Sequence, residues 1–187
     1  MKWLRWMKIS LFICFLIVGC SKNKLGEEEE ILVEQLINDY QIYFDFPLIL
    51  NNYSASIQSE QSLINTETND SIYNGDRITL ARNGEAKNNE VIRVTGEYKD
   101  RDLNGIFVEI HSEPANYSED SLEQLAAAFL SEYDLAQELS LIDQKVKENE
   151  REIIFRFQTE QDNIIKVYVN KDLQEVVGFL LTDGEDL

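Results

Sequence analysis

Asp100-Arg101-Asp102-Leu103-Asn104-Gly105 is the stretch whose residue types and spacing come nearest to a chemical site. Oxygen-bearing side chains at alternate positions, followed by a glycine at the bend, are how a calcium-binding loop begins to wrap its ion. Asp100, Asp102 and Asn104 are therefore the calcium candidates. The second half of such a loop is missing, because the closing glutamate belongs at the twelfth position and the chain has His111 there. The competing reading is a charged hairpin turn between two strands, and the expectation is that no metal is held. His111 is the single histidine, and Glu109 and Glu113 stand two positions to either side of it. On a strand these three share a face. Two carboxylates and an imidazole are metal ligands by type, but a solvated strand face presents the same pattern.

Other chemistries are excluded by what the chain lacks. A Ser-His-Asp triad would have to use His111, and there is no G-x-S-x-G elbow to carry the serine. No phosphate-binding loop and no dinucleotide glycine pattern occurs. Paired carboxylates suit glycoside hydrolysis, yet among 35 acidic residues nothing singles out a pair. The expectation is a protein without catalytic residues and without a cofactor.

The elements that position these groups alternate between two periods. Ile31, Leu32, Val33, Leu36, Ile37, Tyr40 and Tyr43 form an apolar helical stripe, preceded by the acidic run Glu27–Glu30 and ended by Pro47. Leu48 to Asp70 is weakly patterned: Tyr53, Ala55 and Ile57 alternate like a short strand, and Ser59–Ser71 reads as a polar loop. Three strands follow, at Asp76–Arg82, Val91–Tyr98 and Gly105–His111, with Asn74-Gly75, Asn83-Gly84 and Asn104-Gly105 as turn dipeptides. Ser118 is placed to cap a second helix through Leu122, Leu125, Ala126, Phe129, Leu130 and Tyr133, and Leu135–Ile142 reads as a further amphipathic stretch. The tail alternates as strands around Ile153–Gln158, Ile164–Val169 and Val176–Leu181, with links of hairpin length. Both halves run helix first and strands second, though no residue-level repeat relates them. The expected class is α+β: an antiparallel sheet with helices packed on one face, in two similar helix-then-strands halves.

The N-terminus says where such a domain would work. Lys2, Arg5 and Lys8 precede an apolar run from Ile9 to Val18, which ends at Gly19-Cys20. A positive head, a short apolar segment and small residues at a cut are the marks of a secretory signal. The run is shorter than the roughly 20 residues a membrane span needs. Ile17-Val18-Gly19-Cys20 resembles the lipobox of bacterial lipoproteins, with Ile17 and Val18 in place of the usual leucine and small residue. The resemblance covers this stretch alone. It implies lipidation of the Cys20 thiol, cleavage after Gly19, a tether through residue 26 and a domain from 27 to 187 on the extracytoplasmic face of the membrane. Two acyl chains on one residue anchor stably where one does not.

Cleavage at that point would take three of the 17 basic residues and none of the 35 acidic ones, leaving about 168 residues and a formal charge of about −21. A surface of that sign repels nucleic acid and anionic head groups. Cys14 would leave with the leader and Cys20 would carry lipid, so the domain has no disulfide and no cysteine nucleophile. The functional expectation is a membrane-anchored, non-catalytic protein-binding module whose partner carries a basic patch, such as an immunity or inhibitor protein acting against a secreted toxin. An envelope enzyme, or a calcium-dependent or cell-wall-binding lipoprotein, is the alternative.

Overall fold

Eight strands form one antiparallel sheet in the order β1-β2-β3-β4-β8-β7-β6-β5. They are β1 (Tyr53–Ile64), β2 (Ser71–Arg82), β3 (Val91–Lys99), β4 (Asp102–Ile110), β5 (Leu139–Val146), β6 (Glu152–Thr159), β7 (Ile164–Asn170) and β8 (Glu175–Thr182). Helix α1 (Glu27–Tyr43) precedes the first four strands and helix α2 (Glu119–Glu132) the last four. The structure, a computed structural model, describes residues 25–64, 71–114, 116, 118–135, 139–146, 151–159 and 163–182. Cys20, the expected leader and most of the tether lie outside the described residues. No helix among the described residues is long and apolar enough to cross a membrane.

The expected α+β class is overturned. Eight strands in one continuous sheet against two α-helices make the fold mainly β. The sequence understated the strands in two places. Leu135–Ile142, read as a further amphipathic stretch continuing or following the helix, overlaps the edge strand β5 from Leu139 onward. Ser59 to Ile64, read as loop, is the second half of β1. Both are edge strands, paired on one side only, and neither stretch shows the strict hydrophobic alternation that marks a half-buried strand in sequence. Two turn assignments also fail: Asn74-Gly75 lies inside β2 and Asn104-Gly105 inside β4. Asn83-Gly84 does turn the chain, with Gly84 at φ 89°.

Local chemistry explains the helices. Four glutamates fill the first turn of α1, where the exposed N–H groups favour negative charge, and Glu29 accepts from the Gly26 N–H at 2.8 Å. The helix buries Val33, Leu36 and Tyr40, which share one face. It stops at Phe44, whose backbone is extended, while the Tyr40 hydroxyl donates to the Phe46 carbonyl at 2.7 Å. In α2, Ser118 holds the N-cap position but its side chain makes no capping bond; Ser121 Oγ donates to the Ser118 carbonyl instead, at 2.7 Å.

The core forms where these stripes meet the sheet. A Cβ at Gly96 of β3 would come within 2.6 Å of Leu36 Cδ1, so the absence of a side chain there admits α1. Phe179 of β8 lies between the helices, with ring centroids 4.9 Å from Tyr43 and 6.0 Å from Phe129. Full burial of a side chain such as Leu36 stabilises by about 1.5–3 kcal/mol.

The two four-stranded meanders join at β4 and β8 through three paired positions: Gly105 with Leu180, Ile106 with Phe179, and Phe107 with Gly178. The seam is tight. A Cβ at Gly105 would sit 2.8 Å from the Phe179 carbonyl oxygen, and one at Gly178 would sit 2.7 Å from that of Ile106. At the outer edges, β1 and β5 both carry register shifts, and bulges of this kind discourage further strand pairing.

Candidate functional site

Register alignment places side chains in rows across the sheet, and alternation sends neighbouring rows to opposite faces. One face holds Ile78, Val94, Ile106, Phe179, Val167 and Phe155, all nearly or fully buried against the helices. The other face is not covered by either helix. Its middle row runs Thr79, Thr95, Phe107, Gly178, Tyr168, Ile154 from β2 to β6. Beside it runs a charged row: Arg77, Glu97, Gly105, Leu180, Lys166, Arg156 and, on β5, Asp143. On the other side stand Ala81, Arg93 and Glu109.

The middle row is therefore a small-residue and aromatic strip bounded by charge. Phe107 and Tyr168 meet edge to face, with ring centroids 4.9 Å apart and planes at 81°, a preferred aromatic geometry. They stand on either side of Gly178 in the row, and Phe107 already fills the space beside that glycine, since a Cβ there would come within 3.0 Å of Phe107 Cδ1. A groove of about 250 Å³ opens there, lined by Arg93, Thr95, Phe107, Glu109, Glu152 and Tyr168 together with Val108 and Val177.

The bordering charges are paired. Arg156 clamps Asp143 with two nitrogens on two oxygens. Arg93 meets Glu109 at 3.5 Å, with each side chain about half exposed, so this pair is weak and exchangeable. Arg77 Nη2 donates to Glu97 Oε1 at 2.6 Å, and that pair is different in kind because Glu97 is only 4 % exposed. Glu97 Oε2 and Arg77 Nε are also buried, and neither has a hydrogen-bond partner. Leaving such an oxygen unmet costs on the order of 1–3 kcal/mol.

The electrostatic consequence appears at Tyr168. Burial first, then the nearby carboxylates of Glu97 and Glu152, push its hydroxyl from the usual 10 up to about 12. The two carboxylates act on this hydroxyl in the same direction as burial.

The residues singled out by sequence lie elsewhere. Asp100 and Arg101 occupy the two central positions of the β3–β4 hairpin, at φ 53° and 71°, between the paired Lys99 and Asp102. Positive φ at both is the two-residue hairpin geometry. Asn104 Nδ2 donates to the Leu181 carbonyl at 3.0 Å and so ties β4 to β8. His111 is exposed and exchanges backbone hydrogen bonds with Asn89 and Glu90, and Glu109 is turned to Arg93. No group of three or more His, Cys, Asp or Glu side chains among the described residues is arranged to hold a metal ion. Cys20 lies outside the described residues.

Phe107 and Tyr168 escaped the sequence reading. A signal was present: each is an aromatic residue on the polar side of its strand, Phe107 alternating with Glu109 and Tyr168 with Lys166. Their proximity, 61 positions apart, is set by the β4–β8 seam. Comparison with known proteins returns no match: no family model, no curated protein and no solved structure is similar to this chain.

Proposed function

We propose that this protein is a lipid-anchored, extracytoplasmic binding module that meets a basic protein partner and performs no catalysis itself, in the manner of an immunity or inhibitor protein. The observation that carries the reading is the uncovered sheet face. A strip of small and aromatic residues inside a border of paired charges has the composition of a protein interface, with aromatic residues and arginine enriched around a desolvated centre. The rest of the surface supplies attraction over distance. Helix α1 carries six carboxylates and α2 four, with no basic residue in either, and a field of that sign speeds encounter with a basic protein. The lipobox-like stretch ending at Cys20 supports the location, and its anchor restricts the search for a partner to the membrane surface.

The test is co-purification of the full chain from detergent-solubilised envelopes, followed by reconstitution from purified components. A stoichiometric complex with a basic protein is expected. Its association rate should fall steeply as salt rises, because the Debye length shrinks from about 10 Å at 0.1 M to about 3 Å at 1 M. Recovery of wall glycan or peptide fragments in place of a protein, or turnover of any envelope substrate, would replace this reading with the cell-wall or enzymatic one.

A further inference from the structure

We infer that the groove between Phe107, Tyr168, Glu109 and Glu152 is the seat for a lysine side chain of a basic protein partner, inserted into the centre of the uncovered sheet face. The inference rests on the protein-binding reading above and locates its contact.

Charge selects the occupant. The groove lining carries one arginine against two carboxylates, Arg93 against Glu109 and Glu152. Arg93 stands 3.5 Å from Glu109 in a half-exposed, exchangeable pair, which an incoming ammonium can share. Across the aromatic row from these carboxylates, Glu97 is almost fully buried, gives one oxygen to Arg77 and leaves Oε2 without a hydrogen-bond partner. Carboxylate oxygens have about four acceptor sites between them, so Glu109 can take a further donor while keeping Arg93. The tyrosine hydroxyl adds an acceptor at the groove wall.

Shape selects lysine over arginine. The acceptors come from separate strands, Glu109 from β4, Glu152 from β6 and Tyr168 from β7. A guanidinium fork matches one planar carboxylate, whereas an ammonium directs three donors toward acceptors spread around it. The four-carbon stem of lysine is apolar and packs along aromatic rings while its head meets charge. Aromatic walls add a cation–π contribution to a desolvated ammonium.

The acidic helices are the rival docking surface. Their carboxylates lie on the far side of the sheet, and exposed ones such as Glu27–Glu30 stand in water, where a salt bridge contributes little. They steer, and the groove holds.

Zero-length carbodiimide coupling distinguishes the two, because it joins a carboxylate only to an amine in direct contact. Applied to intact envelopes bearing the full chain, with the joined peptides sequenced by mass spectrometry, it should link Glu109 or Glu152 to a lysine of another protein. Links from Glu27–Glu34 or Glu119–Glu123 alone would overturn the groove assignment and leave the protein-binding reading standing. No link to any other protein would overturn both. With the linked partner in hand, the double variant Glu109→Gln/Glu152→Gln should weaken binding by about tenfold or more, chiefly through faster dissociation. Neutralising Glu28 and Glu30 as a control should slow association and leave dissociation nearly unchanged. Unchanged dissociation in the groove double variant, with its thermal melt intact, would refute the lysine seat.

Discussion

The Tyr98 hydroxyl donates to Asp39 Oδ2 at 2.8 Å, joining the middle of the sheet at β3 to helix α1 across 59 residues of chain. The contact is a compromise. Burial holds the Asp39 carboxyl above its usual 3.8, and the Tyr98 hydrogen bond pulls back against that rise without cancelling it. The folded state therefore holds the Asp39 proton more tightly than the unfolded chain does. Above the raised value Asp39 subtracts from stability, and that loss is relieved as pH falls through the raised value toward 3.8. Asp39→Asn should leave the bond in place and remove the cost, raising stability at pH 7 by less than about 1 kcal/mol. Tyr98→Phe should instead lose about 1 kcal/mol, a fall of roughly 2–4 °C in melting temperature for a domain of this size. Thermal melts across pH 3–8 check both, and a destabilised Asp39→Asn protein at pH 7 would show that the ionised bond outweighs burial.

Gly178 faces the backbone of β4 and the Phe107 ring. A Cβ there would stand 2.7 Å from the Ile106 carbonyl and 3.1 Å from Phe107 Cα. Gly178→Ala should therefore push β8 from β4 at the only three pairs that join the two meanders among the described residues. A loss of about 3 kcal/mol is expected, measured by urea unfolding. A variant as stable as the parent would mean that the seam accommodates a methyl group.

Four tyrosines should make the protein fragile in alkali. Burial raises the hydroxyls of Tyr40, Tyr43, Tyr53 and Tyr168, the last to about 12. An unfolded chain releases these protons near 10, so between pH 10 and 12 the folded state binds more protons and stability must fall as pH rises. Absorbance at 295 nm should show part of the tyrosine titration coinciding with unfolding seen by circular dichroism. Full titration of all tyrosines in a still-folded protein would contradict the burial.

Asp100 and Arg101 are committed to a turn and Asn104 to the Leu181 carbonyl. Addition of chelator should accordingly leave the melting temperature within about 1 °C, since a ligand that binds only the folded state would raise it by mass action. Asn104→Ala should cost about 1 kcal/mol through the lost bond alone. A melting temperature that rises with added calcium and falls with chelator would restore the calcium reading of this turn.

The proposed location rests on Cys20. Cys20→Ala in the full chain should block lipid attachment, leaving an unprocessed precursor that takes up no labelled palmitate. Continued labelling of that variant would place the lipid, and the anchor, on another residue.

What the sequence determined by itself was the local order. The apolar stripes of Glu27–Tyr43 and Glu119–Glu132 repeat with the helical period, and Ile153, Phe155 and Phe157 alternate as one buried strand face must. These are properties of neighbouring residues, and a few positions suffice to express them. The lipobox-like run to Cys20 is local in the same sense. What only the tertiary structure decided was everything that depends on partners distant in the chain. The β3–β4 hairpin turns at Asp100–Arg101 and not at Asn104-Gly105, because Gly105 is needed opposite Leu180, where a side chain would strike the neighbouring strand. Edge strand β5 is a strand because β6 offers it a ladder and Arg156 reaches Asp143, neither of which its own sequence announces. The groove is the extreme case. Phe107 and Tyr168 acquire a shared wall, and Glu97 its burial, only when the β4–β8 seam closes, since strand pairing is set by which distant faces bury each other and not by the period of either strand alone.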